Sequence, residues 1–214
     1  VLLSRKLMHP DAEKLLTEYP NITVVEALIT DCNGAARGKW LPIAKLSSLL
    51  TEGIKLPKSA IAQDAWGRDV PSIALDNGDI DGWCQAIPGS LKPVLGSHGV
   101  DQAQVVLTMF KDNGSPLLSD PRQVLAYVTQ ALEAKGLYPR VAIELEFNLF
   151  DRQTAGQSIR DALPKAHQTG GNLYGLTALD EHQALLEALR EYFDTQNLPY
   201  EGVLKEAAPA QYEI

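Results

Sequence analysis

The sequence predicts an α+β fold, and three observations carry that expectation. Val141, Ile143, Leu145, Phe147 and Leu149 alternate strictly with other residues, which is the period of a β-strand with one buried face. Val124, Leu125, Val128, Ala131 and Leu132, and later Leu185, Ala188, Leu189, Tyr192 and Phe193, recur at helical spacing. Asp31-Cys-Asn-Gly34 is a turn signal between two runs of strand composition.

The elements follow in order. Pro10 to Tyr19 is a short helix with Pro10 in its first turn and Pro20 closing it. Ile22–Thr30 and Ala36–Leu41 flank the turn and make a hairpin. Ile43–Glu52 reads as a helix stopped by Gly53. Lys55–Gly78 reads as a loop holding Ser59, Asp64, Trp66 and Arg68, and Gly78-Asp-Ile-Asp-Gly-Trp83 as a turn leading to the next strand. Gln104–Phe110 is a compact apolar strand, and Lys111–Pro116 a linker-like turn that marks a domain boundary, giving domains 1–112 and 113–214. Asp120, Pro121 and Gln123 fit N-cap, N1 and capping-box positions of the helix that Gly136 ends. After the 141–150 strand, Gln153–Asn172 is a polar excursion. Asp180-Glu-His-Gln183 repeats the capping pattern, Leu198-Pro199 ends that helix, and a last strand starts at Tyr200. Strand, helix and strand in this order suggest carboxylates lining a barrel-like concavity.

Composition narrows the function classes. A chain of 214 residues, 45% hydrophobic and 21% charged, suits an ordinary soluble protein of one or two domains. A net charge of −8 argues against nucleic acid or an anionic membrane as the main partner. It leaves ATP open, because bound metal ions reverse the local sign of a site. No apolar run approaches membrane-spanning length and Val1-Leu-Leu3 has no signal-peptide pattern, so a cytoplasmic protein is expected. Cys32 and Cys84 read as free thiols, with one structural disulfide as the alternative. His9, His98, His167 and His182 are scattered and read as surface or structural residues.

The chemistry concentrates in carboxylates. Glu144 and Glu146 project from the same face of the 141–150 strand, with Cα atoms roughly 6.6 Å apart. Like charges at that separation repel by about 2.5 kcal/mol at an effective dielectric of 20. A solvated acidic face would tolerate that, and so would a site built for a cation. Glu206 and Glu213 bracket a second short turn, Ala207-Ala-Pro-Ala210. Oxygen ligands from several strands suit a hard ion such as Mg²⁺ or Mn²⁺.

Glu144-x-Glu-Phe-x-Leu-Phe150, followed by Glu206-x-Ala-Pro-x-Gln-Tyr-Glu213, resembles the glutamine synthetase family, most closely the γ-glutamylpolyamine (γ-glutamylputrescine) synthetase branch. The likeness runs over essentially the whole chain. Ala210 departs from it, standing where the family usually has glycine. The resemblance implies an N-terminal β-grasp domain, to which Asp31-x-Asn-Gly-x-x-Arg-Gly-Lys39 is similar, followed by the first part of the catalytic α/β half-barrel. It implies an ATP-dependent ligase that joins an amine to the γ-carboxylate of glutamate through γ-glutamyl phosphate. Glu146, Glu206 and Glu213 would then hold the metal nearest glutamate, Glu144 the metal on the ATP phosphates, and Glu201 would lie near the nucleotide. Ser59, Asp64 and Arg68 fall in the loop that reaches a neighbouring subunit's site in the family, which implies a homo-oligomer.

Glutamine synthetases proper carry Asp-Gly-Ser-Ser in this loop, where the aspartate helps bind ammonium; here Leu56-Pro-Lys-Ser-Ala60 stands instead. A larger, putrescine-like amine is therefore favoured, with ammonia as the alternative; Leu56-Pro57-Lys58 would form a wall along its methylenes and Asp64 or Asp69 would meet its far ammonium. The family's remaining metal ligands and phosphate-binding arginines would lie beyond Ile214, so the chain is expected to be an N-terminal portion, inactive alone. The alternative from another class is a non-catalytic metal-binding or assembly module derived from the family.

Overall fold

The structure is a computed structural model and describes residues 8–74, 78–96, 99–150 and 172–214. The chain divides into two compact units, Val1–Pro139 and Arg140–Ile214.

In the first unit, α1 (Pro10–Glu18) starts as its sequence requires, with Pro10 at N1 and the His9 ring accepting the Asp11 N–H. Strands β1 (Val24–Thr30) and β2 (Ala36–Pro42) form the expected hairpin, paired from Val24–Pro42 to Thr30–Ala36. A close approach explains one glycine of β2: a Cβ on Gly38 would sit 1.9 Å from the Ala27 carbonyl oxygen. A 3-10 turn at Ile43–Lys45 runs into α2 (Leu46–Glu52), closed by Gly53 at φ +72°.

The expected loop from Lys55 is more ordered than its composition suggested. β3 (Ile54–Pro57) pairs antiparallel with β4 (Asp81–Ala86), a 3-10 turn spans Lys58–Ile61, and α3 (Pro71–Ala74) follows. An edge strand tolerates Pro57, which hid it from a propensity argument. β5 (Lys92–Gly96) and the long β6 (Gly99–Phe110) complete a six-stranded sheet of order β2-β1-β6-β4-β3, with β5 also on β6. β1 and β6 run parallel; the other pairs are antiparallel. Ala103, Val105, Leu107 and Met109 of β6 have no exposed surface and form the core with Val25, Ala27 and Ile29 of β1 and Leu46 and Leu49 of α2. Cys84 lies in that core, where burial and the nearby Asp120 charge push its thiol up to about 12; both cysteines are free.

α4 (Pro121–Glu133) belongs to this unit, so the compact units divide later than residue 112. Asp120 caps α4 through the Arg122 N–H at 2.8 Å, as expected. Gln123 does not complete a capping box. It is buried and donates to the Thr108 hydroxyl at 2.9 Å, tying the helix to β6. The expected apolar stripe of α4 is not buried: Leu125 is 64% exposed, and Val124 and Val128 are also open. The polar tie at the N-terminal end anchors the helix, and no described element of the unit covers its apolar side.

In the second unit, β7 is only Glu146–Asn148, and the apolar positions before it are open, with Val141 84% and Ile143 79% exposed. The alternation is real, but the pairing strand is short. α5 (Leu176–Asp180) ends where the sequence suggested a cap, and α6 (Gln183–Thr195) begins at His182 without a side-chain cap. Its buried residue is Leu186, flanked by the half-buried Leu189 and Phe193, so the inward face is rotated from the expected stripe. β8 (Leu204–Lys205) and β9 (Gln211–Glu213) complete a sheet of order β7-β9-β8. Apart from Asn172, the excursion expected at Gln153–Asn172 lies outside the described residues.

Candidate functional site

The register of the small sheet decides where the glutamates go. Glu146 lies opposite Glu213, Phe147 opposite Tyr212 and Asn148 opposite Gln211. On the other edge of β9, Leu204 lies opposite Glu213 and Lys205 opposite Tyr212. Beyond the strands proper, Leu145 exchanges both backbone hydrogen bonds with Ile214, at 3.0 and 3.1 Å, and the Glu206 N–H donates to the Gln211 carbonyl at 2.9 Å. Facing residues share a face and neighbours along a strand alternate. Glu144, Glu146, Glu206, Gln211 and Glu213 therefore belong to one face, and Leu145, Phe147, Lys205 and Tyr212 to the other.

The second face is the foundation of the first. Tyr212 is fully buried; its ring stacks on Phe147 at 5.9 Å between centroids, and its hydroxyl donates to the Ala178 carbonyl at 3.0 Å. His182 Nδ1 lies 3.1 Å from the same hydroxyl, which gives this histidine a structural role. Lys205 is fully buried too, and burial pulls its ammonium below the ordinary lysine range against the opposing influence of Glu206. Its Nζ donates to the carbonyls of Glu206 and Ala208 at 2.5 and 2.7 Å and stands 5.8 Å from the Tyr212 ring centroid.

The turn between β8 and β9 is held from the acidic face as well. Gln211 donates its amide to Glu146 Oε2 at 2.6 Å and accepts the Ala208 N–H at 3.1 Å. Asn148 donates to the Pro209 carbonyl at 3.1 Å, and Glu206 accepts the Ala207 N–H at 2.9 Å. Ala210 takes φ +50° and is fully buried, so the turn keeps a left-handed geometry without a glycine. Sequence reasoning missed Lys205, Gln211 and Tyr212 as members of the site. Gln211 and Tyr212 stand inside the second motif, and strand alternation about Glu213 would have assigned each to its face.

The acidic face is electrostatically loaded. Partial burial pushes the Glu213 carboxyl up, and the charges of Glu144, Glu206 and Glu146 push it further, with a hydrogen bond from Glu206 adding to the effect. A hard divalent cation would relieve that repulsion, and the donor set is all oxygen. As placed, however, no three acidic, histidine or cysteine side chains among the described residues converge tightly enough to hold an ion. The chemistry of the face fits such an ion. Glu201 is exposed, ahead of β8.

The other expected residues lie in the first unit. Ser59 gives its hydroxyl and N–H to Asp79, at 2.9 and 3.2 Å. Asp64 accepts the N–H groups of Trp66 and Arg68 and the Arg68 Nε, at 2.8, 3.0 and 2.9 Å, and the Arg68 and Trp66 bonds hold its carboxyl below the usual range against partial burial. Asp64 is therefore committed to its own turn. Leu56 is buried in the core and lines no wall beside an amine, because β3 turns it inward. Asp69 is exposed, with Gln63 Nε2 at 3.5 Å.

Residues 118–214 match the family model described as glutamine synthetase, catalytic domain. The chain is 34% identical over 211 residues to the γ-glutamylputrescine synthetase PuuA of Escherichia coli K12, covering 95% of this chain and 44% of that protein. Residues 118–214 belong to the glutamine synthetase family. It is also 27% identical over 195 residues to a glutamine synthetase of Pyrococcus horikoshii, covering 90% of this chain and 39% of that one. Among solved structures, a GmaS/ADP complex superposes with a TM-score of 0.70 at 18% identity, over 96% of this chain and 43% of its own. The shared architecture is mixed α+β, and this chain spans less than half the length of each of these three proteins.

Proposed function

We propose that this chain forms part of an ATP-dependent ligase that joins an amine to the γ-carboxylate of glutamate. The observation that carries this is the register that sets Glu146 against Glu213 and brings the charges of Glu144 and Glu206 to bear on Glu213. The relatives, a γ-glutamylputrescine synthetase and a glutamine synthetase, support the same chemistry. Glu146, Glu206 and Glu213 would hold one divalent ion, Mg²⁺ or Mn²⁺, and Glu144 would contribute to a second, with Glu201 toward the nucleotide. Bound ions supply charge neutralisation for phosphoryl transfer to glutamate, which is mostly positioning and electrostatics. The protein's share is to fix the carboxylates on a sheet whose other face is packed on Tyr212. Gln211 holds Glu146 in place by its amide.

In finer detail, residues 1–112 would be the family's β-grasp domain and 113–214 the opening of the catalytic half-barrel. The family match beginning at residue 118 supports that division. The segment with Ser59, Asp64 and Arg68 would serve the amine side of a neighbouring subunit's site in a cytoplasmic homo-oligomer. No described helix is long and apolar enough to cross a membrane.

The test is a thermal-shift titration with Mg²⁺ and Mn²⁺. At a hundredfold excess over Kd the chain should gain about 2.7 kcal/mol. Glu146→Gln should remove most of that gain, and Glu187→Gln, on the exposed side of α6, should not. Equal shifts in both variants would sink the site. The competing reading is a metal-binding or assembly module without turnover. ADP release that requires both glutamate and an amine separates the two.

A further inference from the structure

Lysine is almost never fully buried unless its charge is paired, because an ammonium loses several hydrogen-bonding waters on leaving solvent. Lys205 has no exposed surface, and among the described residues its hydrogen-bond acceptors are the backbone carbonyls of Glu206 and Ala208. Both carbonyls, of Glu206 and Ala208, lie in the short connection between β8 and β9, which begins at Glu206 and leads to Glu213. An aliphatic residue at 205 could fill the space against Tyr212 but could not hold that turn. The ammonium is a clamp below the turn, while Gln211 fastens the same turn from above through the Ala208 N–H.

We propose that Lys205 is a positioning residue of the acidic site, its ammonium fixing the carbonyls of Glu206 and Ala208 so that Glu206 and Glu213 present their carboxylates together. This rests on the reading of that face as a divalent-cation site. Its consequence has an unusual sign. By charge alone, removing a cation beside the site should tighten binding of another cation. If Lys205 acts by holding the turn, removing it should weaken binding, because the backbone that carries Glu206 is no longer fixed.

The experiment is a Mn²⁺ titration of the 214-residue protein, reading free Mn²⁺ by electron paramagnetic resonance, for wild type, Lys205→Met and the exposed control Lys111→Met. Circular dichroism confirms folding of each. Lys205→Met should raise the Mn²⁺ Kd at least tenfold while Lys111→Met leaves it within twofold. Unchanged or tighter binding by folded Lys205→Met overturns the proposal and leaves the cation site standing. A wild type that binds no better than Glu146→Gln overturns the site, and the proposal with it. Should Lys205→Met not fold, the wild type still decides. The Lys205 ¹⁵Nζ resonance should shift with Mg²⁺ at the same midpoint as the Glu213 amide, and indifference to saturating Mg²⁺ would refute the role.

Discussion

The Asp31 carboxylate is fully buried at the head of the β1–β2 hairpin and accepts the N–H groups of Asn33 and Ala35 and the Nε of Arg37, at 2.8, 2.9 and 2.9 Å. Burial alone would push this carboxyl up. The bonds from Ala35, Arg37 and Asn33 and the Arg37 charge outweigh it and hold the pKa below the ordinary 3.8. A carboxyl depressed in the folded state adds stability above its unfolded pKa and loses it as pH falls through the folded value. Asp31→Asn should therefore cost roughly 2 kcal/mol at neutral pH. Urea titrations should show the gap to wild type steady down to about pH 5 and closing below 3.8. Ala210 makes a second residue-scale case. Its φ of +50° is strained for any side chain, and glycine would relieve it at the expense of a buried methyl and a freer unfolded chain. Ala210→Gly should lie within about 1 kcal/mol of wild type, whereas β-branched Ala210→Val should cost about 2–3 kcal/mol by the same titration. Both residues were visible in the sequence, Asp31 as a turn former and Ala210 as a departure from its family. What each bonds to was not, because Arg37 and the buried turn are set by the three-dimensional pairing.

At the scale of elements, the sequence was most legible where local chemistry decides. The hairpin turn, Gly53 after α2, Pro10 in α1 and the Asp120 cap all follow from backbone hydrogen-bonding needs and stand as expected. It was least legible where burial depends on what packs alongside. The apolar side of α4 and the residues before β7 have the right periods for burial, yet they are exposed. α4 is anchored instead by polar groups: Asp120 Oδ2 accepts the Thr108 hydroxyl and the Met109 N–H, at 2.9 and 2.6 Å, while its other oxygen caps the helix. Asp120→Ala should thus destabilise the first unit by about 2–4 kcal/mol, combining a lost cap with an orphaned buried N–H on β6. Thr108→Val, which spares the cap, should cost less. A larger loss for Thr108→Val in chemical denaturation would place the anchor on β6 and not on the helix start.

For the whole molecule, the acidic face and the segment expected to choose the amine lie in separate compact units, so each can be tested alone. The shared face of the glutamates could be read from sequence because strand alternation converts spacing directly into sidedness. Amine choice could not, because it depends on which side chains are already engaged. Leu56 faces the core and Asp64 is occupied by Arg68 and the Trp66 N–H, so an alkylamine preference cannot rest on either. Two features still favour it: residues 56–60 offer no carboxylate to pack around a small ammonium, and among the described residues the side chain of the exposed Asp69 has a single long contact, to Gln63. A small cation needs closely packed anionic or carbonyl oxygens to replace its water. A diamine can leave its far ammonium near solvent and meet Asp69 there. In a protein extending over the full length of the relatives, putrescine should therefore exceed ammonium by at least tenfold in kcat/KM, about 1.4 kcal/mol of differential transition-state binding. Asp69→Asn should erode the advantage of putrescine over propylamine and leave the kcat/KM for propylamine unchanged. The measurement is a steady-state comparison of ammonium, ethanolamine, propylamine, putrescine and spermidine at fixed glutamate and ATP. If ammonium is the best substrate, the segment from Lys55 does not select the amine and glutamine synthesis is the activity. If putrescine wins but Asp69→Asn changes nothing, the far ammonium is bound elsewhere.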